Sequence, residues 1–141
     1  MTKKLITNKH FSPCEQALDD EMFPNGIFLF NITRLLDYLQ SVDCNIPISD
    51  ARVADFPRFS SSLDKAHIDT VDLGKPVVLA EIAPQRYNVI DGQHRMEKAR
   101  RESVTALPCY RITPEVHSLF LCSQEAYDSY IDYWNEKVDE L

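Results

Sequence analysis

Between Tyr87 and Glu102 the sequence changes from one kind of element to another with almost nothing in between. Tyr87-Asn88-Val89-Ile90 has the aromatic and β-branched character of a strand, and Gln93 to Glu102 is built of good helix formers with Met96 and Ala99 on one side. Only Asp91-Gly92 separates them. A glycine can take the left-handed conformation that such a joint demands, and the chain has just three: Gly26, Gly74 and Gly92. The other segments also read as a mixture of strands and helices. The expected fold class is therefore α+β, a small mixed sheet flanked by helices with a C-terminal amphipathic helix.

Residues 1–25 show no clear periodicity and read as an arm or irregular cover, and residues 26–141 read as one domain. Residues 26–30, Gly-Ile-Phe-Leu-Phe, read as a short buried strand. Asn31 then caps a helix that puts Ile32, Leu35, Leu36 and Leu39 on one face. Residues 44–59 carry Pro47 and Pro57 and read as a long connection. A short helix follows over about residues 62–71, capped by the serines at 60–62 and stopped by Gly74 and Pro76. Residues 76–82 look like a central strand, residues 83–86 a turn, and residues 87–90 its hairpin partner. Residues 106–112 make another strand, with Pro108 favouring an edge or a strand start. Ser123 opens the last helix, residues 123–141, along which Tyr127, Ile131, Trp134, Val138 and Leu141 form a stripe that packs on the domain or on a second copy.

With 141 residues, 44% of them hydrophobic, the chain can enclose one sizeable core. Its longest apolar runs are only a few residues, far short of the ~20 that cross a bilayer. The basic N-terminus lacks the apolar stretch of a signal peptide, so a cytoplasmic location is expected. Cys14, Cys44, Cys109 and Cys122 are scattered in the way of reduced thiols. The pairs His10/Cys14 and His117/Cys122 match no standard zinc spacing.

A formal charge of -7 argues against a surface that grips DNA, so sequence-specific DNA binding by this chain alone is not expected. Yet residues 84–111 hold six basic side chains against three acidic ones, while residues 114–141 hold seven acids against Lys137 alone. A locally positive site in an acidic protein suits a small anion such as a nucleotide phosphate. The strand-turn-helix at Asp91 to Arg95 can provide it through backbone N–H groups, the positive helix end and two cationic side chains. Gly92 admits an oxyanion close to the backbone; Arg95 binds phosphate bidentately; His94 donates to it or moves a proton. Asp91 caps the helix, orients His94 or holds a metal ion. The plainer alternative is a structural joint, with Asp91 only a cap and His94 and Arg95 solvated.

The string Tyr87 to Ala99, YNVIDGQHRMEKA, resembles the signature of the ParB/sulfiredoxin superfamily, in which a strand enters a Gly-x-His-Arg turn and a helix, followed by a strand with an early proline, here Leu107-Pro108. The DGQHR string is also similar to that of DGQHR-motif proteins linked to DNA phosphorothioation. The resemblance covers about residues 61–113. It implies that Gly92, His94 and Arg95 hold the phosphates of ATP or CTP, with Gln93 in the position where sulfiredoxins carry their cysteine. Sulfiredoxin activity is thereby excluded, because an amide cannot act as a thiolate. The family's preceding helix contributes a Lys and a Ser, a place taken here by His67 and Thr70, with Lys65 an alternative phosphate ligand; all three can equally be surface residues.

The leading expectation is thus a nucleotide-binding domain, an NTPase or phosphotransferase, with Mg2+ bridging the phosphates and Asp91 or Glu81 as base or metal contact. Two alternatives stand beside it. One is a ParB-like nuclease or DNA-modification accessory that turns the same joint onto a DNA phosphate. The other is a catalytically inert interaction module that binds a protein partner, or dimerises, through Tyr127, Ile131 and Trp134.

Overall fold

The computed structural model describes residues 3–25, 28–41, 44–57, 63 and 65–141. The first 25 residues, expected to be an arm throughout, end in a strand: β1 (Met22–Asn25) pairs antiparallel with β2 (Phe28–Asn31). Gly26 and Ile27, the start of the expected strand, lie outside the described residues. Helix α1 (Ile32–Leu39) follows directly, and Asn31 Oδ1 accepts the Arg34 N–H at 3.0 Å as its cap. The expected face of α1 points inward, with Ile32, Leu35 and Leu39 buried.

The connection expected over residues 44–59 contains a strand, β3 (Ile48–Arg52), and a 3-10 turn, Val53–Asp55. Its sequence hides it because β3 lies at the sheet edge and buries only Ala51. Helix α2 (Lys65–Thr70) comes next; the expected serine cap at 60–62 is outside the described residues. Then come β4 (Val77–Ala83), β5 (Arg86–Asp91), α3 (Gln93–Arg101) and β6 (Ala106–Ile112). The chain ends with α4 (Pro114–His117), a second 3-10 turn at Ser118–Phe120, and α5 (Gln124–Asp139), capped by Ser123 Oγ on the Ala126 N–H at 3.0 Å.

The main sheet has the order β3-β6-β4-β5. β4 and β5 form the expected antiparallel hairpin, β6 runs parallel to β4, and β3 closes the far edge antiparallel to β6. β6 is therefore interior, and of the two positions its proline favoured, an edge or a strand start, Pro108 takes the one near the strand start. Pro108 is tolerated because β4 pairs with β6 only from Cys109 onward, so at Pro108 the strand has β3 as its one neighbour.

β4 explains the packing. Val78, Ala80 and Ile82 enter a core with Phe30, Leu35, Tyr130 and Trp134, whereas Val77 and Leu79 enter a second one with Met96, Ala99 and Leu107. Alternation along one strand thus serves two layers, as expected of a strand covered on both faces. The α5 stripe is spent in the first core: Tyr127, Ile131 and Trp134 are all buried within the chain, and Leu141 at its end is 81% exposed. No helix among the described residues is long and apolar enough to cross a membrane.

Candidate functional site

Asp91, the last residue of β5, lies opposite Val78 of β4, and Gly92 then turns the chain into α3. Gly92 has φ 109° and ψ 22°, the left-handed conformation that a side chain disfavours. A Cβ there would stand 2.5 Å from Val77 Cγ1 and 3.2 Å from Arg95 Nη2. The bare Cα is thus required by β4, whose Val77 side chain packs where a Cβ would stand.

Arg95 is anchored inward. Its Nη1 donates to the carbonyls of Lys75 at 2.9 Å and Pro76 at 2.6 Å, and its Nη2 donates to Asp91 Oδ2 at 2.9 Å. With the two side chains only 14% and 18% exposed, the guanidinium ties the loop entering β4 to the end of β5. Asp91 is therefore the partner of Arg95, and the N-cap position of α3 falls to Gly92, which has no side chain to cap with. Gln93 likewise turns back, donating from Nε2 to the Val89 carbonyl at 2.9 Å.

The neighbouring cations follow the same pattern. Lys98 Nζ donates to the carbonyls of Asp69 at 3.3 Å and Val71 at 2.9 Å, gripping the C-terminal end of α2, where the carbonyls of a helix are unpaired. Arg100 and Arg101 both bond the buried Glu97 carboxylate, and Arg100 Nη2 also reaches the Phe56 carbonyl. Arg111 donates to the Asp50 carbonyl and lies over the Tyr87 ring. Most of the positive excess of this region is spent on the protein's own acceptors.

His94 and His67 face each other. Their rings meet edge to face, with centroids 4.3 Å apart, at the junction of α2 and the first turn of α3. Two residues singled out on separate helices are brought into contact here. Thr70 bonds the His67 carbonyl through Oγ1 at 3.0 Å and is exposed, and Lys65 is exposed at the other end of α2. Glu81 does not join the site. It sits three residues along β4 from Val78, about 10 Å away at strand rise, where its Oε2 accepts the Gln85 N–H at 2.8 Å across the hairpin turn.

Among the described residues no three His, Cys, Asp or Glu side chains converge as metal ligands. The one carboxylate at the turn is already paired with a guanidinium, which does not fit a Mg2+ ion held mainly by protein oxygens. The role of Lys98 was legible only indirectly: it lies three residues after Arg95, on the same face of α3.

A second buried polar group lies on the opposite layer. His117 Nε2 bonds the Glu81 carbonyl at 2.8 Å, and the Tyr130 hydroxyl donates to the same carbonyl at 2.9 Å. His117 is fully buried, its Nδ1 has no partner, and burial pushes its pKa down to about 4 against the weaker opposing pull of the Glu81 carbonyl. Nothing in the sequence distinguishes this histidine from a surface one except its place before the apolar residues Leu119 to Leu121.

No protein-family model, curated protein or solved structure matches the chain.

Proposed function

We propose that the chain is a nucleotide-phosphate-binding domain whose anion subsite is the first turn of α3 together with the facing imidazoles of His94 and His67. The observation that carries the reading is the 4.3 Å contact between these two rings beside a nine-residue helix whose N-terminus has no side-chain cap. First-turn N–H groups and the positive helix end favour an anion, and an imidazole donates to a phosphate oxygen or takes its proton near neutral pH. The resemblance of residues 87–99 to the ParB/sulfiredoxin signature points to ATP or CTP as the source of that phosphate.

The division of labour differs from the one the signature implies. Gly92 and Arg95 shape the turn from within, and direct contact falls to His94, His67 and the backbone. The reading stops at binding, because the Asp91 carboxylate is committed to Arg95 and that of Glu81 to the Gln85 N–H. A DNA-backbone reading of the same turn would need cations free to face a polyanion, whereas Arg95, Lys98, Arg100 and Arg101 bond protein acceptors.

Calorimetric titration with ATP, CTP and ADP, with and without Mg2+, tests the proposal. Binding that weakens about tenfold in both His94→Ala and His67→Ala, with circular dichroism unchanged, supports it. Absence of heat with every nucleotide would overturn it.

A further inference from the structure

Residues 3–11 form neither strand nor helix, yet they are fixed to α5 at several points. Trp134 Nε1 donates to the Lys3 carbonyl at 3.0 Å. Asn135 accepts the Leu5 N–H at 2.7 Å through Oδ1 and donates from Nδ2 to the Leu5 carbonyl at 2.9 Å. Phe11 stacks on the Tyr127 ring with centroids 4.0 Å apart, and the Cys14 N–H meets the Leu121 carbonyl at 2.9 Å. Between these anchors the segment spans a cavity of about 470 Å³, whose other walls are α4, the 3-10 turn after it and α5. That volume falls in the range of ligand sites, ~300–1,000 Å³. The anchors hold the wall in place before any ligand arrives, so little ordering remains to be done on binding.

The lining is mostly apolar, with Leu5, Ile6, Phe11, Pro114, Leu119 and Ile131 prominent. Set among them are two hydroxyl-bearing residues, Tyr127 and Ser118, which are only 5% and 9% exposed. The Tyr127 oxygen accepts the Asn8 N–H at 2.8 Å, and Asn8 is itself part of the wall, so the phenol tip stands at the cavity. Its proton finds no acceptor among the described residues, and Ser118 Oγ has no partner there either. A hydroxyl in apolar surroundings is stabilised when its donor is matched. Glu115 is the one carboxylate of the described lining. A carboxylate or phosphate ligand would meet it with no lysine or arginine in the lining to offset the repulsion, and an ammonium would offer the two hydroxyls no acceptor.

We propose that this cavity binds a small uncharged molecule with an apolar body and a carbonyl oxygen, taking the Tyr127 and Ser118 hydroxyls as donors and Phe11, Leu119 and Ile131 as apolar contacts. Two lone pairs let one carbonyl accept both hydrogen bonds. The site is separate from the anion subsite, since α5 packs in the first core and α3 in the second, on the other face of the sheet.

Benzophenone is the probe, because it carries the carbonyl and, under ultraviolet light, bonds to neighbouring C–H groups. Titration of the full chain followed by amide chemical shifts should show saturable binding centred on residues 5–12 and 114–131, and peptide mapping after irradiation should place the adducts in the same segments. Diphenylmethane, which lacks the oxygen, should bind about tenfold more weakly, and the charged diphenylacetate should also bind more weakly. Tyr127→Phe or Ser118→Ala should weaken benzophenone binding about three- to tenfold and leave diphenylmethane unchanged. No saturable benzophenone binding, adducts confined to other segments, equal affinity for diphenylmethane, or tighter binding of diphenylacetate would overturn the proposal. Indifference of benzophenone to both substitutions would do the same. Should the variants fail to fold, the adduct positions and the comparison of the three probes on the unaltered chain decide it alone.

Discussion

Arg95 and Asp91, four residues apart across the β5–α3 joint, form an ion pair at 2.9 Å that the same guanidinium extends to the carbonyls of Lys75 and Pro76. A pair so enclosed holds chain segments in register, and removing one member leaves the others unmatched. Arg95→Ala is expected to destabilise the fold by about 2–4 kcal/mol in urea unfolding. Arg95→Lys should recover only part of that loss, since an ammonium lacks the planar fork. If Arg95→Ala instead leaves stability unchanged and abolishes nucleotide binding, the guanidinium is a phosphate ligand after all.

Gly92 is pinned by Val77. Gly92→Ala should cost about 1–3 kcal/mol from positive φ, with a further loss from the contact at 2.5 Å. Trimming the neighbour separates the two causes. In Val77→Ala the extra loss should shrink but not vanish, because Val77 Cβ itself stands 2.8 Å from the added carbon, while the conformational cost remains, a coupling that a double-mutant cycle reads directly.

His117 makes stability depend on pH. Its pKa in the folded chain, about 4, lies below the ordinary 6.5, so the folded state binds fewer protons than the unfolded state between these values. The contribution is complete above pH 6.5 and is lost as pH falls toward 4, amounting to about 3 kcal/mol at most. In His117→Gln, the slope of unfolding free energy over that interval should flatten; an unaltered slope would assign the acid sensitivity elsewhere.

Burial pushes the Cys122 thiol up to about 11. At pH 8 its thiolate fraction falls roughly a hundredfold below that of an ordinary cysteine. Alkylation followed by peptide mass mapping should find it among the last sites modified in the native protein and at ordinary rates in urea.

Local signals in the sequence carried much of the architecture. Asn31 and Ser123 cap the helices they were expected to cap, because a cap depends on residues within one turn. The β4–β5 hairpin and the turn at Gly92 were legible for the same reason. β3 was not, since an edge strand that buries one alanine has no apolar alternation to read. At the site, residue types were legible but their partners were not. Arg95 was expected to face a ligand, yet its acceptors lie on Lys75 and Pro76, about 20 positions away in the chain, and carbonyls leave no mark in a side-chain pattern. The contact between His67 and His94 needed the packing of α2 on α3, which neither helix states alone.

The two-sided burial of β4 has a consequence for how the molecule comes apart. Since Val78 and Ala80 lean on one layer and Val77 and Leu79 on the other, neither layer can open without stripping cover from the strand that supports its counterpart. The amide protons of β4 should therefore trade with deuterium only when the whole chain melts, while β3, shared by no second layer, is released first.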